Sequence, residues 1–332
     1  MSRLQRVFSG VQPTGRPHLG NYLGALKPWV LRQGQSDNIF CVVDLHALTI
    51  PEAVRPAELA EGSRRMAALF LAVGIDPERS SVFLQSHIRE HAELCWILSC
   101  VTPLGWLERM TQFKSKSDGR ETVGTGLLTY PVLQAADILL YDTDVVPVGE
   151  DQRQHIELAR DVAVRFNHMF GEVFVVPEVS TPAAGARVMG LDEPTVKMSK
   201  SIAEVRPKHA IGVLDAPRQI EKAIMSAVTD AGCEYDPELA SPGVLNLLGI
   251  LAAIEGEAVG AVAARYAGRG YGYLKKDVAA AVVAELTPVR ERFDRLMGEH
   301  GYLDGILATS TARVRERAAA TMDRVRRAVG VH

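Results

Sequence analysis

The sequence has few cysteines, no long apolar run and no large excess of either charge. Four cysteines in 332 residues, at positions 41, 95, 100 and 233, show no C-x-x-C spacing. We therefore predict neither a disulfide framework nor a protein-bound metal site, and expect a reducing compartment. No apolar run reaches the roughly 18 residues of a membrane span. The first ten residues, MSRLQRVFSG, do not resemble a signal peptide, so we expect a cytoplasmic protein.

The charge balance taken alone argues against a nucleic-acid partner. The chain has 37 Lys and Arg against 40 Asp and Glu, which gives a formal net charge of −3. Binding depends on where charges lie, however, and a local basic surface could compensate. The last predicted helix offers one candidate, and its alternative is a solvated face beside an apolar stripe. The arginines of this candidate are Arg313, Arg315, Arg317, Arg324, Arg326 and Arg327.

The first two hundred residues alternate short apolar segments with helical patterns. Strands are predicted at 5–9, 38–43, 81–85, 144–148 and 173–176, and a helix with apolar residues at helical spacing is predicted at 56–73. Apolar strands separated by helices predict an α/β fold with a Rossmann-like parallel sheet. In such sheets, ligands bind beyond the carboxyl ends of the strands.

Strand patterns disappear after about residue 205. Helices are predicted at 216–228, 245–254, 256–264, 276–297 and 312–329, separated by glycine-containing segments. We therefore predict a Rossmann-like domain at 1–204, an all-helical domain at 205–295 and a C-terminal helical segment at 296–332. The C-terminal helix is expected to pack back on the first domain.

Two motifs contain residues suited to binding a polyphosphate. QPTGRPHLGNY (12–22) follows the first strand and opens a helix, whose free N–H groups favour an anion. It matches neither of the common nucleotide-binding glycine motifs. KMSKS (197–201) has two lysines three residues apart and is expected on a mobile loop. Each motif alone has a structural alternative, a glycine turn for the first and a solvated basic loop for the second.

Together the two motifs, HLGN (18–21) and KMSKS (197–201), resemble the signatures of class I aminoacyl-tRNA synthetases, with Asn21 in place of the second histidine of the usual four-letter form. The resemblance to the bacterial tryptophanyl-tRNA synthetases extends over nearly the whole chain. The segments that carry it are FSGVQPTG (8–15), ERMTQFKSKS (108–117), GLLTYP (126–131), AADILLYDTDVVPVGEDQRQHIELARD (135–161) and MSAVTD (225–230).

The resemblance implies a reaction and a set of partners. The family activates L-tryptophan with ATP, which brings Mg²⁺, to tryptophanyl-adenylate and pyrophosphate, and then transfers tryptophan to tRNA(Trp). It acts as a homodimer, and its helical domain binds the anticodon. Because the carboxylate of tryptophan is already a nucleophile, the enzyme has to position two anions and stabilise charge on phosphorus. The implied catalytic residues are Lys197, Lys200, His18 and Thr14.

The resemblance also implies the residues that contact ATP. Lys114 and Lys116 lie in a polar stretch (114–125) that could close over ATP, with a solvated flexible loop as the alternative. The implied ATP-binding residues are Gln12, Pro13, Thr14, His18, Gly20, Asn21, Gly149, Glu150, Asp151, Val188, Lys197, Met198, Ser199, Lys200 and Ser201.

Asp137 matches the family's acceptor for the indole N–H, which can only donate. A buried carboxylate strongly rejects a ring that lacks the donor. Its alternative is a helix cap or a surface acid, and for the other pocket residues it is ordinary core packing. The tryptophan-binding residues implied are Asp137, Phe8, Tyr130, Gln134, Val146, Val148, Gln152 and His46, of which Phe8 and the valines would line the ring slot, and Tyr130 and Gln152 would meet the α-amino group.

Two positions depart from the family pattern. Gln134 stands where methionine is usual, and it gives a Y-x-x-x-Q-x-x-D pattern that resembles the tyrosine-activating enzymes. Leu45 stands where a polar residue is more typical. The alternatives are therefore a tyrosine-activating synthetase or an auxiliary paralogue with weak catalysis and a separate binding role. A nucleotidyltransferase that never meets tRNA is a third, although it would not need the helical part.

Overall fold

The computed structural model describes residues 3–119, 122–149, 152–180 and 187–331, apart from the side chain of His300. Its sheet has five parallel strands in the order β3-β2-β1-β4-β5. This arrangement confirms the predicted Rossmann-like sheet. The strands are Arg6–Val11 (β1), Asp37–Val42 (β2), Ser80–Leu84 (β3), Val145–Pro147 (β4) and Glu178–Ser180 (β5).

Helices surround the sheet and make up the chain after residue 200. The first two are joined by a π-helical segment at Tyr22–Leu26, so that the chain is helical without a break through α2. No described helix is long and apolar enough to cross a membrane. The helices are Leu19–Asn21 (α1), Lys27–Leu31 (α2), Pro56–Ala72 (α3), Glu90–Val101 (α4), Leu104–Glu108 (α5), Thr111–Ser117 (α6), Thr125–Leu139 (α7), Arg153–Phe170 (α8), Lys200–Val205 (α9), Pro217–Met225 (α10), Pro242–Glu255 (α11), Val259–Ala264 (α12), Tyr271–Gly298 (α13) and His300–Val329 (α14).

The central strands are buried on both faces. Because side chains alternate along a strand, Phe40 and Val42 of β2 face one core, and Ile39 and Cys41 face the other. The first core continues through α3 into α10, α11 and α13. The second lies against α4, α7, α8 and α14. The helical part thus shares a core with one face of the sheet.

The strand predicted at 173–176 is wrong, and the fifth strand begins at Glu178. The side chain of Asn167 on α8 binds the peptide groups that such a strand would use to pair with a neighbouring strand. Its Oδ1 accepts from the peptide N–H groups of Val173 (3.1 Å) and Phe174 (2.9 Å), and its Nδ2 donates to the Phe174 carbonyl (2.8 Å). An amide side chain that binds these peptide groups replaces a strand ladder. The apolar letters reflect core packing, since Phe174 is buried.

The last helix packs back on the first half of the chain, as predicted. The Ser310 hydroxyl accepts from the Val82 peptide N–H at 2.7 Å, so α14 covers the edge strand β3. Five of the six predicted arginines of α14 dock the helix on the first half of the chain rather than forming a free basic surface. Arg313 and Arg315 donate to the carbonyls of Pro77 and His87, Arg317, Arg324 and Arg326 pair with Asp37, Asp142 and Glu93, and Arg327 donates to the Asp323 carbonyl within the helix.

Candidate active site

The carboxyl edge of the sheet brings together segments that are far apart in the sequence. Gln12 follows β1, Gln85 follows β3 and Val148 follows β4. Parallel strands end at the same edge, so these segments border a common crevice. There the structure holds a cavity of about 380 Å³, which Gln12 and Lys116 also line. All eight predicted amino-acid-binding residues line it: Phe8, His46, Tyr130, Gln134, Asp137, Val146, Val148 and Gln152.

At one end of the cavity is the Asp137 carboxylate, which is 1% exposed. Its Oδ1 accepts from Gln85 Nε2 at 2.6 Å and lies 2.7 Å from His91 Nδ1. Its Oδ2 lies 2.8 Å from His46 Nε2. The other ring nitrogen of His91 is 2.8 Å from the Tyr141 hydroxyl. Asp137 is therefore neither a helix cap nor a surface acid.

This carboxylate is ionised at neutral pH despite its burial. Burial raises the pKa of Asp137, but His91 and His46 outweigh that effect and bring the pKa to about 2. An ionised carboxylate only accepts hydrogen bonds. The facing nitrogens of both histidines must therefore carry protons, and any ring group that contacts Asp137 has to be a donor.

The walls of the cavity are apolar. Phe8 and Val146 are buried and belong to the second core as well as to the cavity lining. Phe8 stacks on Tyr141 with ring centroids 5.9 Å apart and ring planes 12° apart. Core packing and lining of a ring slot were alternatives for these side chains, which belong to the core and also line the cavity. A flat apolar ring matches such walls.

Polar side chains surround the cavity near Tyr130. The Tyr130 hydroxyl donates to Gln112 Oε1 (3.1 Å) and lies 2.7 Å from His155 Nε2, and burial raises its pKa to about 12. Lys116 Nζ lies 5.5 Å from the centre of the Tyr130 ring. Lys114 and Lys116 belong to helix α6 rather than to a loop, and Lys116 is the one that lines the cavity.

Gln134 lies one helical turn before Asp137 on α7, so both side chains face the cavity. Within the described part of the chain, its amide makes no hydrogen bond to another residue. Gln134, which stands where methionine is usual, therefore places an amide in the lining of the cavity. Leu45, the other departure, follows β2 outside the cavity lining, and its peptide N–H donates to Gln85 Oε1 at 3.1 Å.

The glycine turn holds His18 in one orientation at the start of α1. The His18 peptide N–H donates to Asn21 Oδ1 (3.1 Å), and the Asn21 peptide N–H donates to His18 Nδ1 (3.3 Å). This reciprocal pair is a capping box. Burial, together with Lys200 and Lys197, lowers the pKa of His18 to about 4. The neutral ring accepts at Nδ1, so its proton is on Nε2, a donor without a charge.

The two motifs meet at this turn. Lys200 Nζ donates to the Thr14 carbonyl at 3.0 Å. Gly15 has φ +69°, a left-handed conformation that favours glycine, and a Cβ there would lie 3.0 Å from Lys200 Cδ. Beside it, the Leu19 peptide N–H donates to the Ile211 carbonyl at 2.8 Å. The chain that follows KMSKS thus supports the turn that precedes α1.

The KMSKS segment has more regular secondary structure than the loop that the sequence predicts. Lys197 forms an isolated antiparallel bridge with Met189, and the Met198 peptide N–H donates to the Val188 carbonyl at 3.1 Å. The expectation of a loop is wrong for Lys200 and Ser201, which begin helix α9. The Ser199 and Ser201 hydroxyls are 3.0 Å apart. Among the described residues, no carboxylate pairs with Lys197 or Lys200.

Sequence reasoning missed Asn246, which lies on α11 and is 8% exposed. Its Oδ1 accepts from the Met189 peptide N–H at 2.8 Å, and its Nδ2 donates to the Met189 carbonyl at 3.0 Å. Since Met189 is the bridge partner of Lys197, a helix of the second half holds the KMSKS segment. The signal in the sequence was an asparagine inside an otherwise apolar helix.

Some predicted site residues are not in the cavity. Gly149 follows β4 and is exposed, and Glu150 and Asp151 lie outside the described residues. Over the described ranges, no group of three or more His, Cys, Asp or Glu side chains could hold a metal ion. Cys41 is buried, whereas Cys100 and Cys233 are exposed. Gln85, His91 and Tyr141 were missed, although Gln85 directly follows a strand.

The parallel sheet and the two motifs that meet at its carboxyl edge are typical of one class of protein. The model for class I tRNA synthetases (W and Y) matches residues 2–287, so the chain belongs to that family. The relatives narrow the family further. The chain is 52% identical to the tryptophan–tRNA ligase of Gloeobacter violaceus over 330 residues (98% of this chain, 96% of that protein). It is 50% identical to that of Listeria monocytogenes over 327 residues (98% and 97%).

Solved structures agree with these relatives. The tryptophanyl-tRNA synthetase of Campylobacter jejuni, complexed with ADP and tryptophan, has a TM-score of 0.84 and 37% identity, covering 98% of this chain and 100% of that one. The enzyme of Mycoplasma pneumoniae has a TM-score of 0.87 and 32% identity, covering 99% and 98%. The family predicted from the motifs is therefore confirmed.

Proposed function

We propose that the chain is a tryptophan–tRNA ligase. It activates L-tryptophan with ATP to tryptophanyl-adenylate and pyrophosphate, and transfers tryptophan to tRNA(Trp). The observation that carries this proposal is the buried, ionised Asp137 at the end of an apolar slot. Full-length relatives named tryptophan–tRNA ligase support it.

The amino acid occupies the cavity at the carboxyl edge of the sheet. The indole ring lies between Phe8 and the two valines, Val146 and Val148, and its N–H donates to Asp137. Tyr130 and Gln152 meet the α-amino group, and His46 and Gln134 complete the lining. The carboxylate then points towards the glycine turn, where ATP binds.

ATP binds beside His18, at the start of α1. The neutral Nε2–H of His18 donates to a phosphate oxygen without adding charge, and Thr14 contributes to the same turn. Lys197 and Lys200 supply positive charge for the leaving pyrophosphate. Mg²⁺ arrives with ATP and neutralises phosphate charge. The further ATP contacts proposed are Gln12, Pro13, Gly20, Asn21, Gly149, Glu150, Asp151, Val188, Met198, Ser199 and Ser201.

The helical part of the chain and its exposed apolar side chains support two partners, a tRNA and a second copy of the protein. We assign 1–204 to the catalytic domain, 205–295 to anticodon binding and 296–332 to the segment that docks on the catalytic domain. The protein acts in the cytoplasm as a homodimer. Two exposed apolar side chains on neighbouring helices, Trp96 (72% exposed) and Leu104 (59%), support a surface that a second copy covers.

Pyrophosphate exchange with tryptophan and with tyrosine, followed by charging of tRNA(Trp), tests the proposal. We expect exchange with tryptophan, weak or no exchange with tyrosine, and charging. Exchange with tyrosine alone would overturn the substrate, and exchange without charging would favour a nucleotidyltransferase. Sedimentation of the full chain tests the dimer.

A further inference from the structure

Three buried side chains lie behind the cavity: two contact the carboxylate of Asp137, and the third contacts one of those two. Gln85, His91 and Tyr141 are fully buried. None of them lines the cavity, whereas Asp137 and His46 do. A residue in this position cannot touch the substrate ring, but it can determine how Asp137 meets that ring.

The hydrogen bonds of Asp137 are divided unequally between its two oxygens. Oδ1 takes both Gln85 and His91, on the side away from the cavity. Oδ2 takes only His46, which belongs to the cavity lining. A carboxylate has roughly four acceptor positions. Three are occupied, and the one that remains is on Oδ2, on the cavity side.

We propose that His91 and Tyr141 are positioning residues that hold Oδ1 of Asp137, so that Oδ2 keeps its remaining acceptor position directed at the N–H of the substrate ring. They thereby set the preference for an indole over a ring of the same shape that lacks the N–H. This inference rests on the proposed function, because it requires tryptophan to bind in this cavity.

The orientation of His91 follows from its two neighbours. Its Nδ1 faces an acceptor-only carboxylate and must carry a proton. Its other nitrogen, Nε2, is bonded to the Tyr141 hydroxyl, which lies 2.8 Å away. The hydroxyl therefore holds the ring in the orientation in which Nδ1 donates to Asp137. The His91 ring is also stacked on Phe83, with ring planes 24° apart.

Tyr141 contributes to the cavity in a second way, through its ring. The ring stacks on Phe8, which lines the slot. Tyr141→Phe removes the hydroxyl and keeps the ring, so it separates the hydrogen bond from the packing. His91→Gln keeps an amide donor but loses the fixed ring geometry. Each variant removes one partner of the hydrogen bond between Tyr141 and His91.

The test compares tryptophan with 3-(benzothiophen-3-yl)alanine, in which sulfur replaces the indole N–H. The measured quantity is the ratio of kcat/KM for tryptophan to kcat/KM for this analogue in pyrophosphate exchange. For Tyr141→Phe we expect the ratio to fall about 3- to 10-fold, through KM for tryptophan, with kcat and KM for ATP unchanged. For His91→Gln we expect a fall of about 10-fold or more.

Tyr266→Phe is the matched control. Tyr266 is also buried and also donates its hydroxyl to one partner, Asp277 at 2.9 Å, but it does not line the cavity. It should leave the ratio unchanged. Unchanged ratios in both Tyr141→Phe and His91→Gln, alongside a lower ratio in Asp137→Asn, would overturn the positioning role. An unchanged ratio in Asp137→Asn would instead contradict the proposed contact between Asp137 and the indole.

Discussion

The amino-acid cavity and the glycine turn lie at the same edge of the sheet, but they are organised in opposite ways. In the cavity, the charged group is buried and already has three hydrogen-bonding partners. At the turn, Lys197 is exposed and Lys200 is held by a peptide carbonyl. The carboxylate in the cavity has its hydrogen bonds in place before a substrate binds. The lysines at the turn present positive charge that a bound polyphosphate can neutralise.

The difference follows from what each end has to recognise. Selecting one ring requires an acceptor whose direction is fixed, because a buried unpaired group is the cost of accepting the wrong ring. Stabilising a leaving pyrophosphate requires positive charge that is not already neutralised by the protein.

Loss of a lysine at the turn should reduce catalysis most. For Lys200→Ala we expect kcat for tryptophan-dependent pyrophosphate exchange to fall about 100- to 1,000-fold, with KM for tryptophan nearly unchanged. Steady-state exchange at saturating ATP measures both. Lys276→Ala, which changes an exposed lysine of α13, is the control. An unaltered kcat would remove Lys200 from the reaction.

Changing the cavity carboxylate should mainly affect the amino acid. Asp137→Asn places an NH₂ group among three donors, and we expect kcat/KM for tryptophan to fall about 10- to 100-fold. KM for ATP should stay within about twofold, since the acid does not contact the turn. Exchange assays with either substrate varied would show this. An equal loss for both substrates would mean that the two ends are not independent.

Asn246 connects the second half of the chain to KMSKS, so its removal should weaken ATP binding. For Asn246→Ala we expect KM for ATP to rise about tenfold and the free energy of unfolding to fall by about 1–3 kcal/mol, because both Met189 peptide groups lose a buried partner. Kinetics and chemical denaturation measure the two effects. Asn246→Asp keeps the acceptor but turns a carboxylate oxygen towards the Met189 carbonyl, so it should lose at least as much; a clearly smaller loss in Asn246→Asp would argue against the paired hydrogen bonds.

The smallest effect concerns the charge of His18. Its pKa of about 4 lies below the ordinary value of 6.5, so the ring should remain neutral from pH 8 down to about pH 5. The Cε1–H signal in NMR spectra, assigned by its disappearance in His18→Asn, should titrate with a midpoint near 4. A midpoint near 6.5 would show that burial and the two lysines do not act on this ring.

The sequence was sufficient for the sheet and for the two motifs. Strands buried on both faces and separated by helices leave few arrangements other than a parallel sheet. The sequence was misleading at 173–176. Its apolar residues are typical of a buried strand, but the peptide N–H groups there donate to the side chain of Asn167. A local pattern of apolar residues predicts burial, but it does not show which group forms hydrogen bonds with the peptide N–H and C=O groups.

Pairings between distant residues could not be read from local patterns. Asn246 and Met189 are 57 residues apart, and Gln85 and Asp137 are 52 apart. The arginines of α14 show the same limit. Their spacing predicts a charged face, but only the folded chain shows that they meet the carboxylates and carbonyls of the first half.

The contact between Ser310 and Val82 also bears on the order in which the protein folds. Strand β3 is at the edge of the sheet, and Ser310 of the helix that covers it lies 228 residues after Val82. A nascent chain emerges N-terminal end first. Until α14 follows, the sheet can form with β3 uncovered, and an uncovered edge can pair with another chain. The synthesis of α14 thus protects an edge that was formed much earlier in the chain.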